Sequence, residues 1–358
     1  MKKLKIGVIG LGGIANFHIS GILASADAEL WSICDVNEEA VLKRAEELNI
    51  PESRRYLNHE EMLRDPDLDG VFIGTPNFNH FTVAYEAIKN RKPFALEKPV
   101  SLDTREAAML KELLEADRVP HMICFTYRYK AAARYAKQLI GQGALGKINH
   151  IYSQYLQGWA INEDIPLVWR FQKALSGSGA LGDLGSHMLD LHRFLVGETE
   201  KVIADAGTIV KERGRIGEEG KGEVDVDDFC HVLARLEGGI SSTMAISRFA
   251  YGRGNYQRIE VYGTKGALVY DLEEEDALHV KLAEEGDLQF RRLPIPDSFK
   301  VDQMQAFFDL LNGKEDGLDA KIEDGYINQL TLDSIIESFT EERWISLRKE
   351  VAHAAHVV

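Results

Sequence analysis

The sequence predicts two domains: a doubly wound parallel α/β domain, then an α+β domain built on a large, mostly antiparallel open sheet. Three observations carry this. Up to about residue 125, short apolar runs alternate with helical stretches of roughly 10–15 residues, the rhythm of a parallel sheet with helices on both faces. Beyond it the strands lengthen and alternate apolar with polar residues, as antiparallel strands with one covered face do. The chain's 358 residues, 45% of them apolar, supply core enough for about two domains. We place the domains at 1–125 and 126–358.

In chain order, the strands of the first domain are Lys5–Ile9, Glu29–Cys34, Gly70–Ile73, Pro93–Leu96 and His121–Cys124. Between them Val83, Ala87 and Ile88, and then Ala107, Leu110 and Leu114, recur at helical spacing. A helix over Ala131–Ile140 opens the second domain. In His231–Leu236, Val232, Ala234 and Leu236 share one face while His231 and Arg235 share the other, and Gly238-Gly239 turns the chain into Ile240–Ser247. Arg258 to Val261 repeats the alternation. Lys211–Asp228, rich in glycine and charge, reads as a long exposed loop. Met304, Phe307, Phe308 and Leu311 form an apolar helical stripe of the kind that packs in a core, and a last helix covers Gly325–Phe339.

Composition excludes several classes. A net charge of −15 repels polyphosphate chains and anionic bilayers, so neither nucleic acid nor membrane is an expected partner. The apolar run after Met1-Lys2-Lys3 is short, broken by glycine and leads to no cleavage site, so it reads as a strand rather than a secretory signal. No segment approaches the roughly 18 apolar residues that span a bilayer. Cys34, Cys124 and Cys230 are odd in number and each sits in a strand-like run, as buried thiols of a reducing compartment do. A cytoplasmic protein is expected.

Gly10-Leu11-Gly12-Gly13-Ile14-Ala15 fits G-x-G-x-x-A, follows a strand, opens a helix and is followed by Asp35 at the end of the second strand. That context identifies a Rossmann-type dinucleotide site. Gly10 permits the tight turn, Gly12 lets a pyrophosphate approach the backbone, and Ala15 lets helix and strand pack closely. The helix N-terminus supplies N–H groups to the phosphates. Asp35 would accept from the ribose hydroxyls and repel a 2′-phosphate, and no arginine follows it, so NAD is favoured with NADP possible. The alternative is an acidic helix cap at Asp35 or Asn37.

Glu97-Lys98-Pro99 stands at the C-terminal end of the Pro93–Leu96 strand, where open α/β sheets bind ligands. Lys98 is either a surface cation or a group aimed into that crevice. In Gly179 to Asp190, Asp183 and His187 lie four apart, one helical face, with Asp190 nearby. A carboxylate beside an imidazole orients it for proton exchange near neutral pH. The plainer reading is a cap over a core histidine. His187, Asp190 and His192 are close in sequence, but no second ligand cluster accompanies them, and no metal is expected.

Together these motifs resemble the family of glucose–fructose oxidoreductase and inositol dehydrogenase, the Gfo/Idh/MocA family. The resemblance rests on the fingerprint, on Gly74-Thr75-Pro76-Asn77-Phe78-Asn79-His80, on the Glu97-Lys98-Pro99 tripeptide, on Gly179–Asp190 and on Gly325–Ser338. It implies that Lys98 is the catalytic lysine and Asp183 and His187 the active-site pair. It also implies that Gly10 to Ala15, Asp35, Thr75, Pro76, Asn77, His80, Glu97 and Lys98 serve the cofactor. Trp169-Arg170 resembles a segment that shapes the substrate pocket. The resemblance implies a substrate contact for Arg128, which sits where many members have an arginine pair followed by a proline, although Lys130-Ala131 replace the usual continuation here. His18, on the first helix, reads as packing or as the edge of the cofactor site.

The activity so implied is hydride transfer between nicotinamide and a hydroxyl carbon of a sugar, sugar derivative or cyclic polyol. His187, oriented by Asp183, would take the hydroxyl proton while Lys98 stabilises the alkoxide, with the formal base left open between His187 and Lys98. Two other readings stand beside it: a non-catalytic dinucleotide-binding sugar sensor, and a redox-neutral glycosidase using bound NAD. The uncovered face of the antiparallel sheet, and the resemblance, imply a homodimer or homotetramer through that sheet.

Overall fold

The computed structural model describes residues 2–274, 277–284, 286 and 289–347. They form two compact units, one made of the chain up to 130 with 168–178 and 297–329, the other of 131–167 with 179–296 and the chain from 330 on. The division is not one cut, because two later segments return to the first unit.

The first unit carries β1 (Leu4–Ile9), α1 (Ala15–Ala24), β2 (Ala28–Cys34), α2 (Glu38–Leu48), β3 (Arg55–Tyr56), α3 (His59–Leu63), β4 (Gly70–Ile73), α4 (His80–Lys89), β5 (Phe94–Leu96), α5 (Thr104–Ala116) and β6 (His121–Ile123). The six strands are all parallel in the order β3-β2-β1-β4-β5-β6. β3 is the strand that sequence reading missed; two residues are too few to show a periodicity.

Alternate strand residues feed opposite faces of the sheet. Val71, Ile73, Phe94 and Leu96 pack with Val83 and Ala87 of α4 and Ala107 and Leu110 of α5. Ile6, Val8, Phe72 and Ala95 pack on the other side with Ala15, Ile19 and Ile22 of α1 and Val41 and Ala45 of α2. This second core also holds Met304, Phe307 and Phe308. Their apolar stripe is therefore core, as expected, but of the parallel sheet rather than of the C-terminal domain in which the chain order placed it.

The second unit begins with α6 (Ala131–Gly141) and β7 (Ile148–Leu156); the first takes back the short α7 (Lys173–Ser176). There follow α8 (Ser186–Val196), β8 (Thr199–Gly207), β9 (Glu212–Gly214), β10 (Lys221–Glu223), β11 (Phe229–Leu236), β12 (Ile240–Ser247), β13 (Tyr256–Gly263), β14 (Gly266–Asp271), β15 (Ala277–Leu282) and β16 (Arg291–Leu293). α9 (Gln303–Leu311) carries the apolar stripe, α10 spans Ile322–Glu341 and β17 is Ile345–Ser346. Nine strands run in the order β16-β15-β14-β13-β7-β12-β11-β8-β17. β7 and β12 pair in parallel and the other neighbours are antiparallel. On β11, Cys230, Val232, Ala234 and Leu236 are buried while His231 and Arg235 are exposed, as the alternation requires.

The long loop expected over Lys211–Asp228 contains the β9–β10 hairpin instead. Arg213 of β9 is 1% exposed, and its guanidinium donates to the main-chain carbonyls of Ala160 (2.6 Å), Asn162 (2.8 Å) and Ile165 (3.2 Å). A charged side chain that crosslinks a neighbouring loop is invisible to hydropathy, which is why the segment read as unanchored.

Candidate active site

The glycine turn leaves β1 at the point where the strand order reverses between β1 and β4, the crevice in which doubly wound sheets bind ligands. Gly10 has φ +89°, and a Cβ there would lie 2.6 Å from the Gly74 carbonyl oxygen that follows β4. Glycine is thus required both by conformation and by close approach. At Gly12 and Gly13 a Cβ would meet nothing within 4 Å, so this stretch faces open space in front of α1.

Asp35 does more than wait for a ribose. Its Oδ2 accepts from Leu11 N (2.7 Å) and its Oδ1 from Asn37 N (2.9 Å), so one carboxylate braces the glycine turn while each oxygen keeps a further acceptor site. The helix cap is Asn37, whose side chain accepts from Ala40 N at the start of α2. Thr75 carries a buried Oγ1 with no hydrogen-bond partner among the described residues. The open glycines, the free valences of Asp35 and this orphan hydroxyl fit a dinucleotide.

Below the mouth of the crevice the Glu97-Lys98-Pro99 turn is held from several sides. Glu97 is buried; its Oε1 is 3.0 Å from His18 Nε2, and its Oε2 accepts from Lys98 N (3.3 Å). Burial alone pushes the Glu97 carboxyl up, but the His18 hydrogen bond and the Lys98 ammonium hold it below the usual range. His18 is itself buried and stacked on Phe72, so it supports Glu97 from within the core. Pro99 follows Lys98 through a cis peptide bond. His80, also buried, lies with Nδ1 2.6 Å from Pro99 O and Nε2 2.8 Å from Thr75 O. Burial pushes the His80 imidazole down, against the pull of those two carbonyls. His80 and Glu97 thus bind backbone and core, and shape the crevice through the loops they hold. Asn77 Nδ2 donates to Ser176 O (2.9 Å) of α7.

Among the described residues, one group has His, Cys and carboxylate ligand atoms close enough to share an ion: His18, Glu97 and Cys124, within 4.8 Å of one another. Burial pushes the Cys124 thiol well up, and His18 and Glu97 are bonded to each other, so the group is a hydrogen-bonded core cluster. All three cysteines are buried and free.

Arg128 lies 2.8 Å from Asp324, whose other oxygen accepts from Lys321 N beside the start of α10. This buried arginine therefore holds the start of α10. Arg170 is exposed, its guanidinium carbon 4.3 Å from the Trp169 ring centroid.

In the second unit Asp183 sits in a π-helical turn, Leu181–Gly185, and His187 in the first turn of α8. The expected continuous α-helix is corrected here. The pair is joined across a wider turn, so four-residue spacing no longer places both on one straight face, and π turns of this kind recur at functional sites. Asp183 is half-buried, His187 is buried, and the Tyr155 ring centroid lies 6.2 Å from that of His187. Tyr155 OH donates to Asn255 Oδ1 (2.7 Å), and Gln157 Nε2 donates to the same oxygen (2.9 Å). This polar group beside His187 was missed, since strand alternation marks Tyr155 only as inward-facing.

Comparison with known proteins gives the family. Residues 4–125 match the model of an oxidoreductase family with an NAD-binding Rossmann fold, and 133–269 match the GFO/IDH/MocA C-terminal domain. The chain is 32% identical over 97% of its length to levoglucosan dehydrogenase from Pseudarthrobacter phenanthrenivorans, covering 99% of that protein. The chain belongs to the Gfo/Idh/MocA family. Myo-inositol 2-dehydrogenase from Thermotoga maritima is 30% identical, with 81% of each chain covered. A solved levoglucosan dehydrogenase in complex with NADH and levoglucosan superposes with a TM-score of 0.89 at 29% identity, over 98% of this chain and all of that one. No helix among the described residues is long and apolar enough to cross a membrane.

Proposed function

We propose that this Gfo/Idh/MocA member is an NAD-dependent dehydrogenase that oxidises a hydroxyl carbon of a sugar, an anhydrosugar such as levoglucosan, or a cyclic polyol. The observation that carries the reading is that one chain holds both a dinucleotide turn opened by Gly10 and braced by Asp35 and, in its other unit, Asp183 on a π turn with His187 following in α8. It occurs in a chain alike over its whole length to a levoglucosan dehydrogenase.

NAD, bound along the glycine turn, would supply the hydride acceptor. The chain supplies the proton chemistry and the orientation. His187, beside Asp183, takes the proton of the reacting hydroxyl at an imidazole nitrogen and returns it in the reverse direction. The Lys98 ammonium steadies the negative charge that grows on the same oxygen, its backbone fixed by Glu97 and, through Pro99, by His80. Tyr155, Gln157 and Asn255 offer hydroxyl and amide groups to the substrate's remaining hydroxyls, and sugar selectivity arises from such contacts. Trp169 and Arg170 are assigned to substrate on the family resemblance alone. The Asp35 carboxylate favours NAD over NADP.

The uncovered face of the nine-stranded sheet carries exposed Tyr152 and Leu233, and we assign it to a second copy of the chain, giving a dimer or tetramer in the cytoplasm. Sedimentation analysis is expected to return a dimer or larger; a stable monomer removes this assignment.

The test of activity is NADH absorbance with NAD and a panel of levoglucosan, aldoses, sugar acids and inositols. Turnover is expected with one of these classes, and Lys98→Met is expected to lower it by about 10²-fold or more while NAD affinity stays within a few-fold. Binding of NAD with no turnover across the panel, or unchanged turnover in Lys98→Met, overturns the mechanism.

A further inference from the structure

Asp227 lies two residues before β11, far in sequence from the Asp183/His187 segment, and is 7% exposed. Its carboxylate is spent on that segment's backbone. Oδ1 accepts from Gly179 N and Oδ2 from Leu181 N, both at 2.7 Å, and Ala180 N donates to the Asp227 carbonyl at 2.9 Å. Three consecutive N–H groups at the threshold of the π turn are thus bound by one residue. Gly179 is glycine for the same reason, because a Cβ there would lie 1.8 Å from Asp227 O. The next link is Asp183 N to Gly179 O at 3.0 Å, so the register gripped by Asp227 passes directly into the turn that carries Asp183.

We propose that Asp227 is the positioning residue of the proton-handling pair, setting the rotation of the π turn and through it the placement of Asp183 and His187. The inference rests on the reading of that pair as catalytic. Two oxygens on two amides of one short segment resist both sliding and rotation, which a single bond does not. An amide at this position keeps one acceptor and turns a donor toward the other N–H, so it releases the grip without changing size.

The test is Asp227→Asn in the full chain, with kcat, KM and NAD affinity measured in the wild-type and His187→Ala backgrounds. In the wild-type background kcat is expected to fall about 10- to 100-fold with NAD affinity within about two-fold. In the His187→Ala background the second change is expected to cost less than about two-fold, because the pair it positions is already broken. Equal losses in both backgrounds, or unchanged kcat, overturn the inference alone. Full turnover by His187→Ala overturns the reading beneath it as well. Should Asp227→Asn not fold, Asp227→Glu, which keeps both oxygens but moves them by one methylene, is expected to show the same kcat-selective, background-dependent loss; a kcat equal to wild type in that variant overturns the proposal.

Discussion

At the scale of single residues, the most informative contacts are those in which one side chain holds the backbone of a loop that carries function. Asp35 accepts from Leu11 N in the middle of the glycine turn. Removing it in Asp35→Ala leaves that turn unbraced and deletes the acceptor proposed for the ribose, so NAD affinity is expected to fall about 10-fold or more by calorimetric titration. The same variant is expected to gain little NADP affinity, since no cation takes the carboxylate's place. The glycine turn at Gly10 and its brace at Asp35 form a pattern readable in the sequence, because the chemistry of a phosphate turn is written within a few residues and one βαβ unit. Asp227 was not legible, as its partners Gly179 and Leu181 lie 48 and 46 residues away. The Arg128 ion pair is equally remote, its carboxylate partner Asp324 lying 196 residues away.

At the scale of elements, local periodicity revealed what each segment is but not always where it goes. The stripe on α9 announces a buried helix, and packing then places it against Phe72 of the parallel sheet. The π turn at Leu181–Gly185 escaped because a spacing argument assumes 3.6 residues per turn. Where β12 ends, Arg248 and Asp228 form an ion pair at 2.8 Å with both side chains 1% exposed, and Asp228 Oδ2 also accepts from Ile209 N and Val210 N. Deleting one member strands the other charge in the interior. Arg248→Leu is therefore expected to cost about 3–5 kcal/mol in urea denaturation, and adding Asp228→Asn is expected to recover part of that loss by removing the stranded charge. A double variant less stable than Arg248→Leu would place the pair's value in Asp228's bonds to the backbone.

At the scale of the whole molecule, buried histidines give folding stability a pH dependence that begins before the carboxylates titrate. His192 is 2% exposed, with Nε2 2.8 Å from Ser153 Oγ and Nδ1 3.2 Å from Ser242 Oγ; each serine can donate or accept, so a neutral ring is satisfied on both sides. Burial pushes its pKa from the ordinary 6.5 down to about 3. Burial also pushes His80 and His121 down. For each of these the unfolded chain binds the proton first, so stability is fully present above pH 6.5 and declines as pH falls below it; for His192 the decline continues to about 3. Each group contributes at most about 1.4 kcal/mol per pH unit. Asp227, pushed up by burial, acts with the opposite sign, losing stability as pH rises from the ordinary carboxylate value through its folded one. Glu97, held low, gives stability that disappears only below the ordinary glutamate range. The expected curve of unfolding free energy therefore slopes downward from pH 6.5 to 5, a window in which the histidines dominate. His192→Gln, measured by urea denaturation at pH 7.5 and 5, is expected to lower stability at pH 7.5 and to reduce the difference between the two pH values. An unchanged difference would mean that His192 takes up no proton on unfolding in this window, and that His80 and His121 carry the slope.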